Sequence, residues 1–271
     1  MWGPSSFLEA DSSIMLYMPM PRVAKQFLYG LFFIAFFYGL VFGVYHLFLK
    51  PAGSCFDMAQ NQGEEGVDCG MACGNICLPA DVQPIEVVGY VQVFHPSLDR
   101  VSALAKIQNA NAGVGARHFG YEIRFYDEAG NVLRAERGDS FIYPREIKYL
   151  AHFADASGLE KASRADMIIQ DPQWVTAGDF AEPHVAIVHY STSGNEKVLM
   201  VEGRVLNEDT ISFPTVTILA FFYGDLGQIV GVSKAELTDL APKEARDFTI
   251  AHPVVPRANT SKADVFVTAS R

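Results

Sequence analysis

Hydrophobic and polar positions divide this 271-residue chain into three regimes. The first is Phe27 to Leu49, FLYGLFFIAFFYGLVFGVYHLFL, which carries no formally charged residue and no polar stripe. At about 1.5 Å per residue, a helix of this length crosses a hydrocarbon core of roughly 30 Å. The second regime, residues 50–80, is rich in Gly, Asn and Gln and poor in large apolar residues. It cannot build a core, so crosslinks have to hold it. The third starts near residue 81 and has the period of β-structure. Tyr121, Ile123 and Phe125 alternate with Glu122 and Arg124, and Ala103, Ala105 and Ile107 with Lys106 and Gln108. That spacing predicts strands with one wet face. Ile218, Ala220 and Phe222 line one face of an unusually apolar strand. Gly-containing turns at 127–131 and 224–228 punctuate the runs, and residues 157–166 predict a short helical or irregular turn.

The third regime also repeats. Pro84 matches Pro183, Asn109 matches Asn207, and Phe125-Tyr126 matches Phe222-Tyr223. Pro144-Arg145-Glu146 matches Pro242-Lys243-Glu244, and Arg164 matches Lys262. The steady offset of 97 to 99 residues implies two copies of one domain, each the size of an immunoglobulin-like sandwich. The expected order is a cytoplasmic tail (1–26), a transmembrane helix (27–49), a cysteine-rich linker (50–80) and two β-sandwich repeats (81–172 and 173–271). The fold class is mainly β: an N-terminal transmembrane α-helix, a short disulfide-rich linker and two tandem immunoglobulin-like β-sandwiches.

The flanks of the apolar segment argue for its use. A cleaved signal peptide has an apolar region of about 7–15 residues and ends in small residues. This one is longer and ends in Phe48-Leu49-Lys50-Pro51, so an uncleaved signal-anchor fits better. Arg22 and Lys25 precede it, which places the N-terminus in the cytoplasm; Lys50 on the far side weakens that bias. Gly39 and Gly43 are a small-xxx-small pair that lets two membrane helices approach, although glycine is common in such helices anyway. His46 reads as an interfacial polar residue.

Charge narrows the partners. Three of 21 basic and two of 31 acidic residues lie in the first fifty positions, leaving 18 basic against 29 acidic groups beyond them. Nucleic acid and anionic lipid are poor partners for such a surface. The expected contacts are membrane lipid through residues 27–49 and a protein partner.

All four cysteines, Cys55, Cys69, Cys73 and Cys77, follow the apolar segment. An even cluster in a short polar module reads as two disulfides in an oxidising compartment, with three pairings open. Zinc is the alternative, since the Cys69-x3-Cys73-x3-Cys77 spacing falls near that of zinc knuckles, but no His accompanies it. Asp57, Asn61, Glu64 and Asp68 supply hard oxygen atoms suited to calcium, although their spacing is not that of an EF-hand. The alternative for them is turn chemistry with nearby backbone amides. No other cofactor is expected.

Two resemblances follow. Cys55-Phe56-Asp57, Asn61-Gln62-Gly63-Glu64-Glu65-Gly66-Val67-Asp68-Cys69-Gly70 and Cys73 resemble a cysteine module found after membrane spans or between domains in bacterial surface proteins. Met58 and Met71 stand where that pattern has glycine. The resemblance implies extracytoplasmic display. Together with the span and Lys50-Pro51, it is similar to membrane proteins of small-genome candidate-phylum bacteria. Ile123-Arg124-Phe125-Tyr126-Asp127 resembles the Phe-x-Leu-Tyr-Asp domain, itself similar to the late-embryogenesis-abundant type-2 sandwich. The second copy, Ala220-Phe221-Phe222-Tyr223-Gly224, departs at both ends of the motif. That family implies a seven-stranded sandwich without catalytic residues.

Catalytic signatures such as Gly-x-Ser-x-Gly or His-Glu-x-x-His are absent, and the histidines are scattered. Tyr143, Tyr149, Trp174 and Tyr190 are candidate contact aromatics, with packing in or between the domains as the plainer use. The expectation is a membrane-anchored, non-catalytic binding or display protein. The alternative is a structural subunit of a larger envelope, secretion or pilus-associated membrane complex.

Overall fold

The computed structural model describes residues 21–49, 54–61, 63–74, 76–255 and 258–271. Residues 1–20 of the expected tail, and Lys50, Pro51 and Gln62, lie outside these. The chain divides into two compact units, Met1–Asp68 and Cys69–Arg271. It is mainly β, with one apolar N-terminal helix.

In the first unit, helix α1 (Arg22–Val44) begins directly after Pro21, whose carbonyl accepts the Lys25 N–H at 3.2 Å. Proline suits this position because its missing N–H would have no partner there. The helix thus starts inside the expected 1–26 tail. It continues through a π-helical turn, Tyr45–Leu49. The 28 residues from Arg22 to Leu49 are long and apolar enough to cross a membrane, and none is buried by protein. Their length is about 42 Å. Aromatic rings stack along its surface at helical spacing: Phe32 on Phe36 at 6.4 Å and Tyr38 on Phe42 at 6.1 Å.

The described residues of the second unit form thirteen strands. The first seven are β1 (Glu86–Val87), β2 (Gln92–Ser97), β3 (Arg100–Gln108), β4 (Val114–Tyr126), β5 (Val132–Ile142), β6 (Ile147–Asp155) and β7 (Arg164–Thr176). β3 pairs with β1, β2 and β6, and β4 lies between β5 and β7, all antiparallel. β7 continues through Asp171 to Thr176, so the link to the rest runs from Ala177 to His184. The other six are β8 (Val185–Gly194), β9 (Val198–Asn207), β10 (Phe213–Gly224), β11 (Ile229–Leu240), β12 (Ala245–Pro253) and β13 (Ala258–Ala269). β9 lies between β8 and β12, and β10 between β11 and β13.

Each half has its own core. In the first, Ala103, Ala105 and Ile107 of β3 meet Phe119, Ile123 and Phe125 of β4. In the second, Leu199, Val201 and Val205 of β9 meet Val216, Ile218 and Phe222 of β10. A third cluster joins the halves. The opposite faces of β2, β3 and β6, carrying Phe94, Leu104 and Tyr149, pack on Leu219 and Phe221 of β10. This corrects the expectation of one wet face for β3. Ser102 and Leu104 are as buried as Val101 and Ala103, because a second sheet covers them. The same covering explains why β10 reads as a nearly continuous apolar run: strands buried on both faces lose their alternation. Residues 157–161 form turns, as expected of an irregular segment.

The matched sequence positions occupy matched places. Asn109 and Asn207 are fully buried at the ends of β3 and β9. Asn109 Nδ2 donates to the carbonyls of Val114 (2.8 Å) and Tyr143 (3.0 Å), and Asn207 Nδ2 to those of Ile211 (2.8 Å), Leu240 (3.2 Å) and Ala241 (3.0 Å). Each side-chain oxygen accepts the N–H two residues on. Arg145 and Lys243, each after a proline, sit at φ 59° and 60°. The following Glu146 and Glu244 close the turn by accepting the N–H of Tyr143 (2.7 Å) and Ala241 (2.8 Å). Arg164 lies over the Tyr126 ring at 4.7 Å, and Lys262 over Tyr223 at 4.9 Å.

Candidate binding surfaces

Along α1, a Cβ added at Gly39 or Gly43 would meet nothing within 4 Å. Among the described residues, then, no other part of the chain packs on either glycine. The His46 ring lies tilted against Phe42 at 4.3 Å, one turn away, as an aromatic neighbour.

In the cysteine module, none of the four cysteines is free, and all are disulfide-bonded. Cys69 pairs with Cys77 across a Cα separation of 5.0 Å, and Cys55 and Cys73 are oxidised as well. An oxidised sulfur offers no thiolate to zinc.

The four residues with calcium-type oxygens lie in one loop. The Asp57 carboxylate accepts the N–H groups of Ser54 and Ala59, each at 3.0 Å, and the Asn61 amide at 3.0 and 3.2 Å. Asp68 accepts the N–H groups of Asp57 (3.1 Å) and Met58 (2.9 Å), and Glu64 those of Asn61 (3.3 Å) and Asp68 (3.2 Å). The Asn61 amide, followed by the Ser54 N–H, holds the Asp57 carboxyl below its ordinary range. In this structure the carboxylate oxygens act as turn caps, satisfying backbone amides that no strand or helix pairs, while Asn61 Oδ1 is buried without a hydrogen-bond partner among the described residues.

Of the four aromatics, three pack inside the second unit. Tyr143 is buried, stacks on Phe180 at 4.5 Å and donates its hydroxyl to the Ala269 carbonyl at 2.8 Å, tying the halves together. Tyr149 meets Phe221 and Phe266, each at 4.9 Å, in the seam. Trp174 packs against the first core, and Tyr190 stays exposed on β8.

The seam flares into a cleft at each end of β6. Toward Lys148, a cleft of about 370 Å³ is lined by hydroxyls such as Thr215, Thr217 and Thr268. Burial pushes the Lys148 ammonium down to about 8 and raises the neighbouring Glu146 carboxyl. Lys148 donates to the Phe141 carbonyl at 2.8 Å.

Toward Phe153, a larger cleft of about 640 Å³ lies between the β2–β3 hairpin and strands β11 and β12. Its wall holds Arg100, Ser102, Ser233, Lys234 and His252 around apolar Phe153. His252 is buried, stacks on Phe222 at 4.6 Å and shares a 2.9 Å hydrogen bond between Nδ1 and Ser233 Oγ. Gly231 makes room for it: a Cβ there would lie 2.2 Å from His252 Nε2. Burial drives the imidazole down to about 4, so it is neutral near pH 7. His252 Nε2 and Ser102 Oγ are both buried without a hydrogen-bond partner. Each such atom costs about 1–3 kcal/mol.

Sequence reasoning passed over this cleft. The one local signal is the inward period of β12, Phe248, Ile250, His252, where a polar ring takes a core position.

No family model matches the chain, and no curated protein matches it. Among solved structures, red sea bream transglutaminase is 8% identical, over 73% of this chain and 32% of that one, with a TM-score of 0.22. The chain spans about a third of that protein's length. Likeness at this level carries no argument about fold or activity.

Proposed function

We propose that this chain is a membrane-anchored, extracytoplasmic, non-catalytic binding module. Residues 22–49 act as an uncleaved signal-anchor with the N-terminus in the cytoplasm. The oxidised cysteine module follows as a stapled stalk, and two tandem immunoglobulin-like sandwiches form the head. The observation that carries this reading is the order of features. A helix with no protein-buried residue is followed by four oxidised cysteines. Disulfides persist outside the cytoplasm.

The recurring Asn, Pro-(Arg/Lys)-Glu and cation-over-tyrosine devices support the duplicated sandwich. Among the described residues, the one Ser–His pair, Ser233 with His252, has no carboxylate bonded to its ring, which fits a head without hydrolytic machinery. Loops and strand edges of such a head serve protein recognition.

Labelling spheroplasts with a membrane-impermeant amine reagent tests the orientation. Exposed Lys161 and Lys197 are expected to react and Lys25 to stay unlabelled until the membrane is dissolved. The opposite pattern overturns the reading.

A further inference from the structure

The first half shows what the cleft of about 640 Å³ would look like without special residues. Counting from the buried asparagines, His252 of β12 pairs with Leu199 of β9, and the matched position in the first half is Ala154 of β6, paired with Val101 of β3. The fold therefore accepts alanine where the second half places a histidine, with Gly231 cleared beside it.

The polar groups of this wall are mostly donors. Arg100 is exposed at the mouth, and its guanidinium interacts electrostatically with the neighbouring Asp99 carboxylate. Lys234 reaches Glu236 at 2.9 Å and keeps two further N–H groups. When the Ser233 hydroxyl donates to Nδ1, the neutral ring carries its proton on Nε2, so of the two buried unpartnered atoms His252 Nε2 is a donor, and the Ser102 hydroxyl can donate or accept. The acceptor at the mouth, Asp99, takes a hydrogen bond from Ser97 Oγ at 2.6 Å, and the Arg100 charge beside it offsets its own. Phe153, Val101 and Val232 make the floor apolar. A cavity of a few hundred Å³ with an apolar floor and a few converging polar groups suits a small organic ligand.

We propose that this cleft binds a small organic carboxylate with an apolar body, the carboxylate held by Arg100 and Lys234 and the body lying on Phe153. An Arg–carboxylate pair is charge-assisted and can be bidentate, which gives selectivity for the acid over neutral isosteres. The proposal does not depend on membrane orientation.

The test is calorimetry of the full chain in phosphatidylcholine nanodiscs with 4-phenylbutanoate as probe, empty discs as blank and 4-phenylbutanamide as neutral control. The acid is expected to bind at least about tenfold more tightly than the amide, and Arg100→Gln to remove that preference. His252→Ala, which restores the residue of the first half, is expected to weaken the acid with folding intact. Equal affinity for acid and amide, an Arg100→Gln variant that keeps the preference, or no heat above empty discs at millimolar probe would each overturn the proposal.

Discussion

Single buried polar residues fix the corners of both β-halves. Asn109 and Asn207 each satisfy two or three carbonyls that no strand pairs. Their loss removes a donor from every one of these carbonyls; Tyr143 and Ala241 keep the N–H of Glu146 and Glu244. Asn109→Ala and Asn207→Ala are each expected to cost about 2–4 kcal/mol in urea unfolding. Met58 shows the opposite case. It takes φ 58° with its side chain 88% exposed, so it carries backbone strain without packing in return. Met58→Gly is expected to stabilise the loop by up to about 1 kcal/mol, and Met58→Val to weaken it, in thermal unfolding. His252 supplies a pH signature. Its folded pKa, about 4, lies below the unfolded value near 6.5. Between these values the unfolded chain binds the proton and the folded chain does not, so stability falls as pH drops from about 6.5 to 4. The loss amounts to roughly 3 kcal/mol at most. His252→Ala is expected to flatten that part of the stability–pH curve; an unchanged slope would assign it to other groups.

At the scale of elements, the apolar helix and the β period of residues 101–108 and 121–125 were legible from the sequence because both patterns are local. The sequence also paired Asn109 with Asn207, but the carbonyls each one serves became visible only in the fold. The covering of β3 and β10 on both faces was not legible. It depends on which sheet meets which, and an apolar run such as Ile218–Tyr223 reads the same in any doubly covered strand. The cleft around His252 was hidden for a related reason. Its residues come from five strands spread along the sequence, and the one local sign was a histidine on an inward period. The disulfide Cys69–Cys77 likewise needed geometry, since spacing left three pairings open. Because strands β1 to β13 contain no cysteine, reduction is expected to loosen residues 54–78 and to shift the unfolding of the β-head by less than about 0.5 kcal/mol.

Across the whole molecule, the seam makes the two β-halves one body. Phe221, Tyr149 and Phe266 lock ring against ring, with Phe221 to Phe266 at 4.7 Å, and Tyr143 adds a hydrogen bond across the joint. A single cooperative unfolding transition is expected for the head. Phe221→Ala is expected to cost about 3–5 kcal/mol. Phe221→Asp is expected to split the transition in two, because a charge in the seam breaks the contact while Val216, Ile218 and Phe222 still hold the second core.

The central claim is that this head stands outside the cytoplasm behind a membrane helix. The most direct measurement is the redox state of its four cysteines in native membranes, by acid quenching of whole cells and counting of polyethylene glycol–maleimide additions per chain. The account predicts none before reduction and four after it. Four additions without prior reduction would place the module in a reducing compartment and contradict the account.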